Sequence, residues 1–386
     1  PVEQLTHSIR PPIKTLQIIS GMNVGGAEMM LYKLLSQLNP AVVESEVVSL
    51  TDIGDVGREI QALGVPVHAL GLHRQPSALS APWQMMNLLK EINPELIQGW
   101  MYHGNLAALI AGHWMARNTP VLWNVRHTPY ALISEKRNIA FLIRLGARLS
   151  HKAAAIVYNS RVSACRHSEL GYSTHRQIII PNGFDVEQFR PSESSRTWLR
   201  CLLCLPNDVF LIGLIARFHP MKDHANFIVA AAKLSQNAAE VRFLMVGRGV
   251  TKSNEQLMKS INRAGLGHRV HLLGERSDVA AITSGLDIAT LTSAWGEAFP
   301  NVIGEAMACA VPCVVTDVGD SAAIVGETGI VVPPRDPQAL AAGWRRLLFH
   351  RSRKERLQMG MAARQRIKER FSLGEIAGQY ARLYNS

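Results

Sequence analysis

Two glutamates with a predicted helix start between them are the residues of this chain best suited to chemistry. Glu297 and Glu305 are separated by seven residues, and Pro300 between them is typical of a helix start. A helix start leaves backbone N–H groups unpaired and carries partial positive charge, which favours a phosphate ligand. Because carboxylates repel phosphate, we expect both glutamates to bind hydroxyl groups on either side of it, from a sugar and a ribose. The alternative is structural, since the helix dipole alone favours glutamates there.

Two cations form the second group of candidates. Arg217 follows the predicted strand Phe210–Ala216, and Lys222 comes five residues later, after Pro220. Positive charges at the end of a strand would neutralise a diphosphate and stabilise it as it leaves. Ordinary surface charge is the alternative.

Glycines end two predicted strands. Gly25 and Gly26 lie between the strand Thr15–Ser20 and a helix, where they allow close approach of a ligand to a helix start; a tight turn is the alternative. Gly247 and Gly249 end another strand, which alone is weak evidence for a cofactor site. The spacing of a dinucleotide fingerprint and the Gly-Lys-Ser/Thr of a phosphate loop are both missing.

One histidine lies where a strand should end. His127 follows the predicted strand Val121–Val125, so we expect it to point into a cleft, although a lone histidine is more often a structural hydrogen-bonding group. Its neighbour Arg126 is a candidate for binding an acceptor or phosphates.

The elements that position these residues alternate between short apolar runs and helical patterns along the chain. This rhythm predicts two doubly wound α/β domains, each with a parallel sheet, and a cleft lined by the carboxyl ends of their strands. Pro181-Asn182-Gly183 is a strong turn signal, so we place the boundary there, giving domains of residues 1–183 and 184–372.

Composition limits the class of protein. A chain of 386 residues with 47% hydrophobic residues predicts a globular protein of two domains, and no apolar run reaches the ~20 residues of a membrane span. The polar N-terminus does not resemble a secretory signal, and five cysteines, an odd number, favour reduced thiols, so we expect a cytoplasmic protein. Cys201 and Cys204 lack a second ligand pair at zinc spacing.

The charge predicts acidic partners. The formal net charge of +11 favours nucleotide phosphates, anionic lipid or nucleic acid. Aromatic residues, at 6%, are too few for a base-stacking surface, so we expect no nucleic-acid partner.

Taken together, the motifs resemble the retaining nucleotide-sugar glycosyltransferases of family four, which have the GT-B fold. The segment 293–320, SAWGEAFPNVIGEAMACAVPCVVTDVGD, is similar to their glutamate-seven-glutamate signature, and IARFHPMKDH is similar to their arginine and lysine pair. Asp223 stands where the family usually has glycine, which leaves the local turn geometry open. The resemblance covers nearly the whole chain and implies that residues 373–386 cross back to the N-terminal domain.

The resemblance also implies a reaction and its residues. A sugar would pass from a nucleotide diphosphate, with UDP as the expected nucleotide, to an acceptor hydroxyl with retention, by same-face attack in which the leaving phosphate takes the proton. Glu297 and His127 would contact the sugar, Glu305 the ribose, and Arg217 and Lys222 the diphosphate. No Asp-x-Asp motif is present, so we expect no metal cofactor. The remaining donor-binding residues implied are Gly25, Gly26, Gly247, Arg276 and the backbone of Phe299, Asn301 and Val302, with Pro300 at the turn.

The pattern from Glu135 to Lys152 mixes cations with an apolar face. Packing of that face into the core is one interpretation; docking on an anionic membrane, at the inner face of the cell membrane, where a lipid-linked saccharide acceptor waits, is the other. The second would place the protein in polysaccharide or glycolipid synthesis. Rival functions are a GT-B epimerase or phosphorylase, and a non-catalytic protein that binds sugar nucleotides.

Overall fold

Two parallel β-sheets, one in each half of the chain, form the framework of the protein. The structure is a computed structural model, and it describes residues 11–73, 77–115, 119–129, 132 and 135–386. The strands of the N-terminal sheet are β1 (Ile13–Ile19), β2 (Val43–Ser49), β3 (Val67–Ala69), β4 (Leu96–Trp100), β5 (Val121–Val125), β6 (Ala155–Tyr158) and β7 (Gln177–Ile179). Those of the C-terminal sheet are β8 (Phe210–Ile215), β9 (Val241–Val246), β10 (Val270–Leu272), β11 (Ile288–Leu291), β12 (Cys313–Thr316) and β13 (Gly329–Val332).

The strand order is that of a doubly wound fold in both halves. The N-terminal sheet runs β3-β2-β1-β4-β5-β6-β7, and the C-terminal sheet runs β10-β9-β8-β11-β12-β13. The order reverses between β1 and β4 and again between β8 and β11. In register, Ile19 lies beside Trp100, and Leu214 lies beside Thr290, so each pair of central strands ends at nearly the same level. Ligands of such sheets bind at the carboxyl ends of these central pairs.

Helices cover both faces of each sheet because alternate strand residues are apolar on both sides. In β1, Leu16 and Ile18 pack into one core cluster and Ile19 into another. The helices of the N-terminal domain are α1 (Gly26–Leu35), α2 (Gly54–Ala62), α3 (Ser77–Ile92), α4 (Met101–Ile110), α5 (Arg137–Leu149) and α6 (Arg161–Glu169). Those that follow are α7 (Glu193–Leu202), α8 (His224–Ser235), α9 (Glu255–Arg263), α10 (Val279–Ser284), α11 (Asn301–Ala308), α12 (Ser321–Val325), α13 (Pro337–Leu348), α14 (Arg353–Arg370) and α15 (Leu373–Tyr384).

The last helix returns to the first domain. The N–H of Phe184 donates to the carbonyl of Phe371 at 2.8 Å, and the N–H of Leu373 donates to the carbonyl of Phe184 at 3.0 Å, so the two crossing segments are bonded to each other. Beyond this crossover, Tyr380 and Tyr384 of α15 are buried in the N-terminal core. This arrangement confirms the predicted fold class. The boundary placed after Gly183 stays a prediction.

The predicted strands Thr15–Ser20, Val121–Val125 and Phe210–Ala216 correspond to β1, β5 and β8, with ends that agree within two residues. The segment after the predicted boundary contains a helix that the sequence did not predict, α7, which Ser192 begins by accepting the N–H of Ser195 at 3.1 Å. Its inner face buries Leu199 and Arg200. All five cysteines are free. Within the described ranges, no helix has both the length and the apolar character that crossing a membrane requires.

Candidate functional site

The predicted site residues follow the central strands of the two sheets. Gly25 and Gly26 lie after β1, Arg217 lies after β8, and the loop that carries Glu297 lies after β11. These are three of the four strands at which the strand order reverses. The fold therefore places the candidates at the two ligand-binding edges that open sheets of this kind provide.

The Glu297 loop, residues 292–300, is attached to the segment that carries Lys222. The Thr292 hydroxyl donates to the carbonyl of Lys222 at 2.6 Å, and the N–H of Ala294 donates to the carbonyl of Met221 at 2.8 Å. Gly296 has a φ of +78°, and a Cβ at this position would lie 2.7 Å from the Met221 sulfur. The positive φ favours glycine here, and a larger residue would also have to displace the Met221 side chain, so the two segments pack as one unit.

Within this unit, Lys222 and Glu297 make an ion pair. Lys222 Nζ contacts Glu297 Oε1, and the Ser293 hydroxyl donates to the same oxygen at 2.5 Å. The side chains are 18% and 9% exposed, so the pair is largely shielded from water. The sequence analysis placed Glu297 at the donor sugar and Lys222 at the diphosphate, and it did not predict that the two side chains are in contact.

Asp223, which replaces the glycine usual in the family, keeps the backbone conformation of a glycine turn. It adopts the left-handed conformation, with φ 47° and ψ 56°, which glycine would adopt without strain. Its side chain accepts the N–H of Asn226 at 3.1 Å and thereby caps α8. Aspartate tolerates this conformation better than most residues, so the turn after Lys222 is preserved.

Arg217 is exposed, and no hydrogen bond or ion pair joins its guanidinium to the part of the chain that the structure describes. Gly247 lies against its backbone: φ is +146°, and any Cβ there would collide with the carbonyl of Ala216. The N–H of Gly247 donates to the carbonyl of Gly274 at 2.7 Å. The ends of β8, β9 and β10 are thus held together beside a cation that is available to a ligand.

Arg276 is differently placed, because its guanidinium already has a partner. Its Nε donates to Asp278 Oδ1 at 2.8 Å, and its Nη2 binds the other carboxylate oxygen. These hydrogen bonds lower the pKa of Asp278. Both residues lie at the surface, about one third exposed, so a base-side role for Arg276 would involve the pair and not the arginine alone.

The start of α11 provides backbone donors. Pro300 is the cap residue and Asn301 the first helical residue, one position later than the sequence suggested, and no side chain caps the helix. The Phe299 side chain packs between Phe184 and Phe371, so only its backbone is left for a ligand. Asn301 accepts a hydrogen bond from Asn182 at 2.6 Å, which links α11 to the other domain. Val302 is half-buried in the first turn.

Glu305 lies just over one turn into α11, as predicted. Burial raises the pKa of its carboxyl, and the charge of Lys33, on α1 of the other domain, partly opposes this effect. Among the described residues, no hydrogen bond or ion pair engages the carboxylate. It is therefore free to accept hydrogen bonds from hydroxyl groups.

The turn at Gly25 holds a feature that sequence reasoning missed. Gly25 precedes α1 in extended conformation, and the carboxylate of Glu28 folds back so closely that a Cβ on Gly25 would collide with it. Burial raises the pKa of Glu28, whereas the N–H groups of Glu28 and Ala27 lower it. A glutamate at the third helical position after an uncapped start is the available signal. Any anion bound there would have to displace it.

His127 is one third exposed and forms a hydrogen bond with Glu135, with 2.9 Å between His127 Nε2 and Glu135 Oε1. Arg126 is not free for an acceptor, because it donates to Asn124 at 3.1 Å, to the hydroxyl of Tyr380 at 3.0 Å and to Asn182. Its guanidinium also lies 5.6 Å from the centre of the Trp100 ring. Arg126 is connected to the second domain through Asn182, which in turn donates to Asn301 of α11.

Metal ligands are not gathered anywhere in the described ranges: no group of three or more His, Cys, Asp or Glu side chains comes together there. Metal independence stays a prediction.

The ends of the central strands thus present a lysine–glutamate pair, an arginine without a partner among the described residues, and a helix start. These groups suit a ligand that carries phosphate and hydroxyl groups. The comparisons with known proteins agree. Residues 24–188 match the model of Glycosyltransferase Family 4, and residues 209–350 match that of Glycosyl transferases group 1. Over 293 residues, the chain is 31% identical to N-acetyl-alpha-D-glucosaminyl L-malate synthase of Bacillus anthracis, covering 72% of this chain and 71% of the other. The chain belongs to the family-four glycosyltransferases and has the GT-B fold.

Two further similarities are informative. The UDP-Gal:alpha-D-GlcNAc-diphosphoundecaprenol alpha-1,3-galactosyltransferase of Escherichia coli is 30% identical over 153 residues, 38% of each chain. The Anabaena protein Alr3699/HepE, whose structure is a complex with UDP, superposes with a TM-score of 0.82 at 23% identity, covering 97% of this chain and 100% of the other. At that identity, the structural similarity establishes the fold.

Proposed function

We propose that this glycosyltransferase uses a UDP-sugar as donor and transfers the sugar, with retention of anomeric configuration, to a hydroxyl of a lipid-linked saccharide. The observation that carries the proposal is the shielded pair of Lys222 and Glu297 at the end of β8 and β11. A cation and a carboxylate in contact can separate their roles when a donor enters: the lysine meets the diphosphate, and the glutamate meets sugar hydroxyls. The Anabaena complex with UDP supports the choice of nucleotide.

The charge of the leaving diphosphate would be met by this chain's own groups. Arg217 is available at the strand end, and the uncapped start of α11 offers backbone N–H groups with partial positive charge. Fixed donors of this kind stabilise developing negative charge without reorganisation. Glu305, whose carboxylate has no partner among the residues that the structure describes, would accept the ribose hydroxyls, and the departing phosphate would take the acceptor proton.

A thermal-shift screen with UDP, GDP and ADP tests the donor site. UDP should raise the melting temperature of the wild type, and Lys222→Ala and Glu305→Ala should abolish that shift. Lys259→Ala is the matched control, because Lys259 is exposed on α9, where its ion pair is with the neighbouring Glu255 of the same helix. If no nucleotide stabilises the wild type, or if Lys222→Ala still responds as strongly as the control, the site is wrong.

A turnover assay separates the rival activities. With UDP-glucose and no acceptor, an epimerase would isomerise the donor, whereas a transferase would release UDP only slowly. With a saccharide acceptor, the coupling constant of the new anomeric proton should show the configuration of the donor. An inverted product would contradict the retaining course, and binding without any turnover would favour a non-catalytic protein.

The exposed stripe of α5 supports a membrane contact. Ala140, Ile143 and Gly146 are buried, and Leu142 packs against the same core, as the safer interpretation of this helix expects. The opposite face carries Arg137, Phe141, Arg144 and Arg148 at helical spacing, and the phenyl ring is 62% exposed. Cations around an exposed aromatic side chain suit the surface of an anionic bilayer, where a lipid-linked acceptor would be found.

Flotation with vesicles of phosphatidylglycerol and phosphatidylcholine tests this contact. Wild-type protein should float with the anionic vesicles, and charge reversal at Arg144 and Arg148 should abolish flotation. Arg353→Glu, with Lys354→Glu, changes charge equally on the other domain and serves as the control. Equal flotation of both double variants would remove α5 from the proposal.

A further inference from the structure

A carboxylate of one domain binds the start of a helix in the other. Asp320 lies between β12 and α12 and is 9% exposed. Its Oδ2 accepts the N–H of Arg161 at 2.9 Å, and its Oδ1 accepts the N–H of Val162 at 3.2 Å. Arg161 and Val162 are the first two residues of α6, so both oxygens of Asp320 bind the N-terminus of that helix.

A carboxylate is well suited to this position at the start of α6. The first N–H groups of a helix have no partner within it and carry its positive end, which suits a carboxylate. Ser160 accepts the N–H of Ser163 at 2.9 Å, so the side-chain cap and Asp320 satisfy different donors. Burial raises the pKa of Asp320, and the two N–H groups lower it in part. The cost of removing the carboxylate from water therefore offsets some of the gain from the two hydrogen bonds.

The same residue also supports the donor loop. The N–H of Asp320 donates to the carbonyl of Ala298 at 3.0 Å. Gly319, with φ +63°, lies so close that a Cβ on it would be 2.6 Å from the carbonyl oxygen of Glu297. Through its backbone and its side chain, Asp320 joins the Glu297 loop to α6 of the opposite domain.

We propose that Asp320 is a positioning residue for sugar transfer, which couples closure of the two domains to the placement of Glu297. The contact does not involve the crossover at Phe184 and Phe371, which tethers the domains through the chain itself. When the domains open, Arg161 and Val162 would lose the carboxylate and bind water. When they close, the bonds reform and fix the loop that holds the donor sugar. The role in transfer rests on the proposed function of Glu297.

A backbone substitution tests the contact with little other change. Arg161→Pro removes the N–H that Asp320 Oδ2 accepts, and proline is well tolerated at the first position of a helix. Ser160 before it is extended, with φ −152° and ψ 154°, as a residue preceding proline prefers. Arg161→Ala is the matched control, because it removes the same side chain and keeps the N–H. Asp320→Ala removes the acceptor.

Three measurements are made on the full chain: the radius of gyration by X-ray scattering, the Kd for UDP, and release of UDP from UDP-glucose in the presence of acceptor. Loss of a charge-assisted hydrogen bond should lower the ratio of closed to open protein about tenfold. We therefore expect Arg161→Pro and Asp320→Ala to enlarge the radius of gyration and to lower kcat by up to about tenfold, with the Kd for UDP within about twofold. The double variant should be no worse than Asp320→Ala alone, since both changes break the same contact.

Two results would overturn the proposal: a radius of gyration and a kcat for Arg161→Pro equal to those of Arg161→Ala, or effects of Arg161→Pro and Asp320→Ala that add in full. Failure of the donor assignment looks different. If the wild type binds no UDP, the assigned role of Glu297 fails, while the scattering data on the same variants still decide whether Asp320 holds the domains together.

Discussion

Removal of the lysine from the Lys222 and Glu297 pair should reduce stability and turnover by separable mechanisms. The Glu297 side chain is 9% exposed beside Lys222, and in Lys222→Met we expect its carboxylate to stay buried and to keep the hydrogen bond from the Ser293 hydroxyl. Loss of one member of a buried ion pair costs about 3 to 5 kcal/mol, and the remaining hydrogen bond places this case near 3. For a domain of this size, such a loss lowers Tm by about 6 to 12 °C.

A second substitution separates charge burial from chemistry. Adding Glu297→Gln removes the uncompensated charge and keeps an amide oxygen that can accept the Ser293 hydroxyl. The double variant should therefore recover most of the lost Tm. Its turnover should not recover, because removal of one fixed donor to a leaving group costs about 10² to 10³ in kcat, and the glutamine does not replace the lysine.

Two measurements test this reasoning: thermal unfolding, and UDP release from UDP-glucose. Both are made on the wild type, the two single variants and the double variant. Recovery of kcat in the double variant to within about threefold of wild type would show that Lys222 only neutralises Glu297. An unchanged Tm in Lys222→Met would show that the pair is not effectively buried in solution. Either result would refute the reasoning.

Three further predictions concern turn geometry, pH and metal. Asp223→Ala should be less stable than Asp223→Gly, with a free energy of unfolding in urea about 1 kcal/mol lower, because both lose the cap of α8 but only alanine is strained at positive φ. The reverse order of stability would contradict the strain argument. Burial lowers the pKa of His167 to about 4, so between pH 6.5 and pH 4 the unfolded chain binds more protons than the folded chain. The free energy of unfolding should therefore fall as the pH falls, by up to about 3 kcal/mol over this range. His167→Gln should reduce this fall, measured by urea titration at each pH. EDTA should leave turnover unchanged, since Arg217 and Lys222 are proposed in place of a metal, and loss of activity restored by Mg²⁺ would contradict that.

The fold was predictable because its signals are local and repeated. The strand at 121–125 has the predicted bounds, and the strand predicted at 210–216 ends one residue earlier, since each is a short apolar run. α7 was missed because its buried face is made partly by Arg200, which a hydrophobic pattern does not count. The guanidinium of Arg200 is buried, and it donates hydrogen bonds to the carbonyl of Gly285 at 2.9 Å and to Asp287. Both partners are distant in sequence.

The site was predictable only as a set of positions. Spacing and strand ends identified Glu297, Lys222 and Arg217, because each follows a strand that the pattern reveals. The contact between Lys222 and Glu297 spans 75 residues of sequence and depends on β8 and β11 being neighbours. The backbone of Asp223 was left open because aspartate adopts the left-handed conformation only occasionally, whereas the glycine usual in the family adopts it without strain.

A chain of polar contacts connects the returning helix α15 with the start of α11 in the second domain. Arg126, after β5, donates to Tyr380 of α15 and to Asn182, and Asn182 in turn donates to Asn301 at the start of α11. The proposed phosphate-binding helix is therefore connected, through two amides and a guanidinium, to the centre of the opposite sheet. α15 supplies the Tyr380 hydroxyl, which accepts a hydrogen bond from the Arg126 guanidinium. The returning helix thus contributes to the geometry of the cleft as well as to the core of the first domain.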